Sequence, residues 1–167
     1  MHNDLREWLE KAESLGNVVH IAGAHWDKEM GTLAEMFCNR KRLETPTLIF
    51  ENIPGIKEGY RVLFHELITP WAVALTMDIP LEFDSLVDLV KTAHAKVESV
   101  KPIPYQVVQK GPVQENIQQG DAVNLLDFPV PLFSEFDGGR YIGTSDVVIM
   151  KDPDSGYINL GTYRMQL

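Results

Sequence analysis

Apolar residues recur three and four positions apart at Leu5, Trp8, Leu9, Ala12 and Leu15, a spacing that predicts an amphipathic helix. Asn3 or Asp4 stands where a cap belongs, and Gly16 where the helix should stop. Residues 17–22 form a short apolar run of strand length. Asp27 is placed to cap a second helix whose inner face would be Met30, Leu33, Ala34 and Phe37. Residues 47–52 read as a strand, Pro54-Gly55 as a turn and residues 60–67 as another strand. Thr69-Pro70 joins a capping hydroxyl to a proline suited to the first helical position. Asp84 opens a further helix, with Leu86, Leu89, Val90, Ala93 and Val97 along one side. Up to about Val100, this alternation predicts an α/β domain.

The pattern changes after Lys101. Pro102, Pro104, Pro112, Pro129 and Pro131 interrupt a stretch with no helical period. Proline removes a ladder donor and disfavours helix, so an extended connection into a second, β-rich domain is expected. Residues 145–150 read as a strand, Asp152-Pro153-Asp154-Ser155-Gly156 as a hairpin loop and Tyr157 onward as the return strand. The expected division is therefore residues 1–100 and residues 101–167. The strand pattern is still running at Met165-Gln166-Leu167, and one hairpin cannot close a core, so the expectation is a chain cut within its second domain. No internal repeat or low-complexity segment appears.

Composition narrows the function. Hydrophobic residues make up 44% and charged residues 23%, the profile of a folded globular protein. Fifteen basic against twenty-four acidic side chains give a formal charge of −9. That balance argues against a nucleic-acid or anionic-membrane surface, both of which need clustered Lys and Arg. The tight basic cluster, Arg40-Lys41-Arg42, reads as solvated loop. The single cysteine, Cys38, cannot form an internal disulfide and falls on the apolar side of a predicted helix, so it reads as core filler and not as a nucleophile. No basic start followed by an apolar run suggests a secretory signal, and no apolar stretch approaches the ~18 residues of a membrane span. A cytoplasmic location is expected.

The return strand carries the most suggestive chemistry. In regular alternation Tyr157, Asn159, Gly161 and Tyr163 share one face, and Ile158, Leu160, Thr162 and Arg164 the other. A bulge at Leu160-Gly161 would bring Asn159 and Arg164 to one side. Asn offers a carbonyl oxygen to a hard cation, and Arg a planar fork to a carboxylate or phosphate. The plainer alternative makes Asn159 the end of a turn and Arg164 an edge charge. Asp137-Gly138-Gly139-Arg140-Tyr141-Ile142-Gly143-Thr144 could let a ligand or another segment approach closely, but lacks the spacing of a P-loop or dinucleotide fingerprint. Of His2, His20, His25, His65 and His94, none has a second histidine at i+3 or i+4, so a self-contained zinc site is not expected.

Taken in order, these segments resemble the UbiD family of decarboxylases. The resemblance runs through Asp4-Leu5-Arg6-Glu7-Trp8-Leu9, His25-Trp26-Asp27-Lys28-Glu29-Met30, Phe50-Glu51-Asn52-Ile53-Pro54-Gly55, Gly111-Pro112-Val113-Gln114-Glu115-Asn116 and the glycine-rich segment. Its most specific element is Asn159-Leu160-Gly161-Thr162-Tyr163-Arg164. It implies an N-terminal α/β domain followed by the start of a split β-barrel that binds flavin. It also implies that Asn159 ligates manganese (with potassium as a further candidate ion), and that Thr162, Tyr163 and Arg164 contact prenylated FMN. Arg164 would in addition act catalytically by holding the substrate carboxylate. The implied reaction is reversible decarboxylation of an aromatic or α,β-unsaturated acid, with a glutamate returning a proton to the product carbon. In the family the other metal ligands, a His and a Glu, and the acid–base glutamates lie further along the sequence. Many relatives carry a histidine shortly before Asp-Gly-Gly, where this chain has Ser134-Glu135-Phe136. A flavin prenyltransferase would supply the cofactor, and the full-length enzyme would be a homo-oligomer. The competing reading is a flavin-binding or assembly module without catalysis.

Overall fold

The structure, a computed structural model, describes residues 2–40, 42–104, 106–143 and 146–167, apart from the side chains of Arg40 and Arg42. The first helix, α1 (Leu5–Ser14), starts where Asp4 accepts the N–H groups of Arg6 and Glu7. It ends ahead of Gly16, whose φ of 73° is the left-handed conformation that terminates helices. Strand β1 (Val18–Ala22) leads to α2 (Glu29–Arg40). Asp27 is not the cap the sequence suggested; Lys28 takes a positive φ, and the Glu29 carboxylate accepts the His25 N–H at 2.7 Å. Met30 and Ala34 are buried as expected, while Leu33, Phe37 and Cys38 are half-buried.

Strand β2 (Thr47–Glu51) lies between β1 and β3 (Val62–Phe64) in a three-stranded sheet. Thr47, Leu48, Ile49 and Phe50 are all buried, which explains a run without polar alternation in the sequence. Strand β3 is shorter than the apolar run that foretold it. Helix α3 (Pro70–Thr76) starts on the Thr69 cap, whose hydroxyl accepts the Ala72 N–H at 3.1 Å. Helix α4 (Leu86–Ser99) is capped by Ser85, one residue after the expected Asp84. Of its apolar stripe only Leu89 is buried; Val90 is 65% exposed and Leu86 52%. Beyond α4, the described residues from 101 to 127 are exposed, apart from half-buried Gly111, and are interrupted by short 3-10 turns at Pro112–Gln114, Gly120–Ala122 and Leu125–Asp127.

The remaining strands are β4 (Tyr141–Gly143), β5 (Val148–Lys151), β6 (Ile158–Gly161) and β7 (Met165–Gln166). They form two separate two-stranded sheets, β4 with β7 and β5 with β6. The first strand of the hairpin lies later than the expected 145–150, and Ser145 falls outside the described residues.

By internal contacts the chain resolves into two compact units that interleave along the sequence. One comprises Met1–Val19, Phe37–Ile49 and Leu63–Asn124. Its core gathers Trp8 and Ala12 of α1 with Ala72 and Leu75 of α3, and the Trp8 indole donates to the Thr76 hydroxyl at 3.0 Å. The other comprises His20–Met36, Phe50–Val62 and Leu125–Leu167 and contains every residue singled out for cofactor, metal or catalysis. There, Asp27 bridges Leu132, with the Lys28 N–H on the Leu132 carbonyl and the Leu132 N–H on the Trp26 carbonyl, each at 3.0 Å.

Candidate cofactor and metal site

The β5–β6 hairpin is built by its loop. One Asp152 oxygen accepts the N–H groups of Asp154 (3.0 Å) and Ser155 (2.6 Å) and the Ser155 hydroxyl (2.8 Å). Those donors, the Ser155 amide foremost, hold the Asp152 carboxyl below its ordinary range. Gly156, at φ 71°, completes the reversal. Pairing then runs without interruption: Lys151 with Ile158, Met150 with Asn159, Ile149 with Leu160 and Val148 with Gly161.

The bulge expected at Leu160-Gly161 is therefore absent. The departure from strict alternation comes one residue later. After Gly161 the chain leaves β5, passes through Thr162, Tyr163 and Arg164, and pairs as β7 with β4. The register shift lies on the opposite side, between Tyr141 and Gly143. The Tyr163 ring lies beside Gly161, where an added β-carbon would meet it and oblige that exposed ring to swing away.

Asn159 is half-buried in the middle of β6, and its carboxamide makes no hydrogen bond to another described residue. Thr162, Tyr163 and Arg164 are exposed. The Arg164 guanidinium carbon sits 4.9 Å from the centroid of the Tyr141 ring, within cation–π range. No carboxylate among the described residues is paired with it.

Three further features escaped sequence reasoning because they are made through space. Arg140 stacks on the Trp26 ring at 4.1 Å and donates to the carbonyls of Val130 (2.7 Å) and Phe128 (3.0 Å). It thereby ties the entrance of β4 to the proline-rich segment; burial lowers its pKa, yet a guanidinium remains charged. Gln166 lies across the glycine pair, its amide donating to the Gly138 carbonyl at 2.9 Å, and a methyl on Gly139 would strike it. The glycines thus admit another segment of the same chain. Finally, both carboxylate oxygens of Asp146 are buried without a hydrogen-bond partner. One of them lies 3.2 Å from where a Gly143 β-carbon would be, and the Tyr163 carbonyl lies 3.1 Å from the same point.

These residues can be tested against the implied manganese and prenylated FMN. Manganese favours carboxylate and carbonyl oxygens, and the Asn159 carbonyl is such a donor, with no competing partner among the described residues. The free fork of Arg164 suits an anionic oxygen. A buried carboxylate without a partner is costly, so Asp146 calls for a cation, a donor or water. Among the described residues no group of three His, Cys, Asp or Glu is arranged around a metal. The residues fit one edge of a cation-and-phosphate site. Three of the histidines have neighbours elsewhere: His25 accepts the Asp27 N–H, His20 lies 3.6 Å from Glu51 and His94 3.6 Å from Glu98.

Comparison with known proteins bears on the same region. Residues 106–167 match the family model described as UbiD, 3-octaprenyl-4-hydroxybenzoate carboxy-lyase Rift-related domain. The pyrrole-2-carboxylic acid decarboxylase of Pseudomonas aeruginosa is 29% identical over 98% of this chain and 34% of its own length. An uncharacterised protein of Aquifex aeolicus is 50% identical over 37% of this chain and 12% of its own. The vanillic acid decarboxylase of Sedimentibacter hydroxybenzoicus superposes in its closed form with a TM-score of 0.86 and 27% identity, over 100% of this chain and 35% of that one. In its open form the TM-score is 0.80, at 27% identity over 99% of this chain and 35% of that one. The chain thus spans about a third of the length of these decarboxylases. Residues 106–167 carry the UbiD carboxy-lyase signature, and along its whole length the chain resembles UbiD-type decarboxylases.

Proposed function

We propose that this chain supplies one edge of the catalytic site of a UbiD-type decarboxylase that uses prenylated FMN and manganese. The supporting observation is the course of the chain at Asn159–Arg164. A free carboxamide in a paired strand is followed by a three-residue passage between two sheets, and the passage ends in an unpaired guanidinium. In this reading residues 101–167 begin a split β-barrel after an α/β domain at residues 1–100. Asn159 gives its carbonyl to the metal, Thr162 and Tyr163 border the flavin, and Arg164 grips the substrate carboxylate with two N–H groups. When bound, the flavin supplies the electron sink for loss of CO2. Potassium is a further candidate ion, a flavin prenyltransferase the source of the cofactor, and a cytoplasmic homo-oligomer the working form.

The acid is aromatic or α,β-unsaturated. Relatives named for pyrrole-2-carboxylic and vanillic acids set the first substrates to try. The test is CO2 release from pyrrole-2-carboxylate, vanillate and cinnamate by the complete enzyme loaded with prenylated FMN, since residues 1–167 supply one edge of the site and are not expected to turn over alone. Turnover of at least one acid, dependent on the prenylated cofactor, is expected; CO2 release from none of a broad panel would refute the reading. Asn159→Ala should lower manganese affinity by about ten-fold or more, measured by metal analysis after dialysis.

A further inference from the structure

Arg164 faces a conflict that its surroundings resolve. A long, exposed side chain carries many rotamers, and gripping a carboxylate requires one of them. A neighbouring Asp or Glu would fix it, but would occupy the N–H groups that the substrate needs. The ring of Tyr141 meets the guanidinium through its face, and a face contact leaves all five donors free and the charge uncompensated. The backbone that carries the ring is itself held. Tyr141 pairs with Gln166 across β4–β7, the Leu167 N–H donates to the Arg140 carbonyl at 2.9 Å, and Arg140 is clamped by Trp26 and two carbonyls. We propose that Tyr141 is a positioning residue: it pre-orients Arg164 for an aromatic carboxylate without consuming the fork. The proposal rests on the decarboxylase reading for its biological use, but the stacking and the anion binding can be measured without turnover.

Benzoate serves as the probe, titrated by NMR into protein with 15N/13C-labelled arginine. In the wild type the Arg164 side-chain protons should be shifted upfield by the ring current and should respond to benzoate. Tyr141→Phe keeps the ring and should keep both properties. Tyr141→Leu should lose the upfield shift and bind benzoate about two- to five-fold more weakly. With turnover available, kcat/KM should fall in parallel for Tyr141→Leu and recover in Tyr141→Phe. An unshifted Arg164 in the wild type would overturn the proposal even if the Leu variant fails to fold, as would a wild type whose Arg164 ignores benzoate. Loss of the shift with unchanged benzoate affinity would overturn it too. Benzoate binding and an intact stack in a protein that decarboxylates nothing would leave Tyr141 in its role and remove the decarboxylase reading instead.

Discussion

His65 sits in a left-handed backbone conformation, φ 70°, with its Nδ1 buried and without a partner. Burial pushes its pKa down, only partly offset by the Pro46 backbone group and the charge of Glu66. The neutral ring is therefore the form the fold prefers. Unfolding takes up a proton wherever the unfolded histidine is charged and the folded one is not. The stability His65 contributes is complete above its ordinary value of about 6.5 and declines as pH falls from there toward the lower folded value. Thermal midpoints measured from pH 7.5 to 5 should fall more steeply in the wild type than in His65→Asn, a residue that tolerates this conformation. Parallel curves would show that His65 does not titrate with folding. Nothing in the sequence marked this residue beyond an apolar neighbourhood, because backbone sign and burial are set by the fold around it. Asn159 and Arg164 were singled out through the resemblance of their segment, since residue type and spacing alone left the plainer reading of a turn end and an edge charge open. Asp146 and Tyr141 were not, since their significance depends on what β7 brings beside them.

At the scale of elements, caps and faces both read unevenly: Asp27 is not a cap and Ser85 takes the place expected of Asp84. Asp4, Thr69 and the Asp152 loop act as their residue types dictate, each satisfying backbone N–H groups within three residues. The stripe on α4 looked like a buried face and is largely exposed, because periodicity reports an apolar side and not whether anything covers it. Helix α2 shows a constraint that periodicity cannot express. Gly31 lies against the main chain of Phe133, and an added β-carbon would overlap that carbonyl. In an open helix Gly→Ala gains about 0.5–1 kcal/mol. Here the neighbour is backbone and cannot rotate away, so overpacking of about 1–3 kcal/mol should win. Gly31→Ala is expected to lower the denaturant midpoint, and a rise would mean that residues 132–133 do not lie this close in solution.

For the whole molecule, the last α-helix ends at Ser99 and short 3-10 turns and strands follow, a change of texture that the loss of helical period after Lys101 announces. The interleaving of the two compact units was not, because it arises from long-range pairing that no local pattern encodes. The likeness to decarboxylases three times as long covers nearly all of this chain, and the segment that bears the UbiD signature also carries Asn159 and Arg164. The central claim is that this segment holds a substrate carboxylate beside a bound flavin. Its most direct test is Arg164→Lys in the complete, cofactor-loaded enzyme, with CO2 release and flavin content measured on the same samples. Lysine keeps the charge and loses the fork, so turnover should fall by about ten- to hundred-fold while flavin content stays near that of the wild type. Equal losses of turnover and flavin would make Arg164 a cofactor anchor alone and would contradict the account.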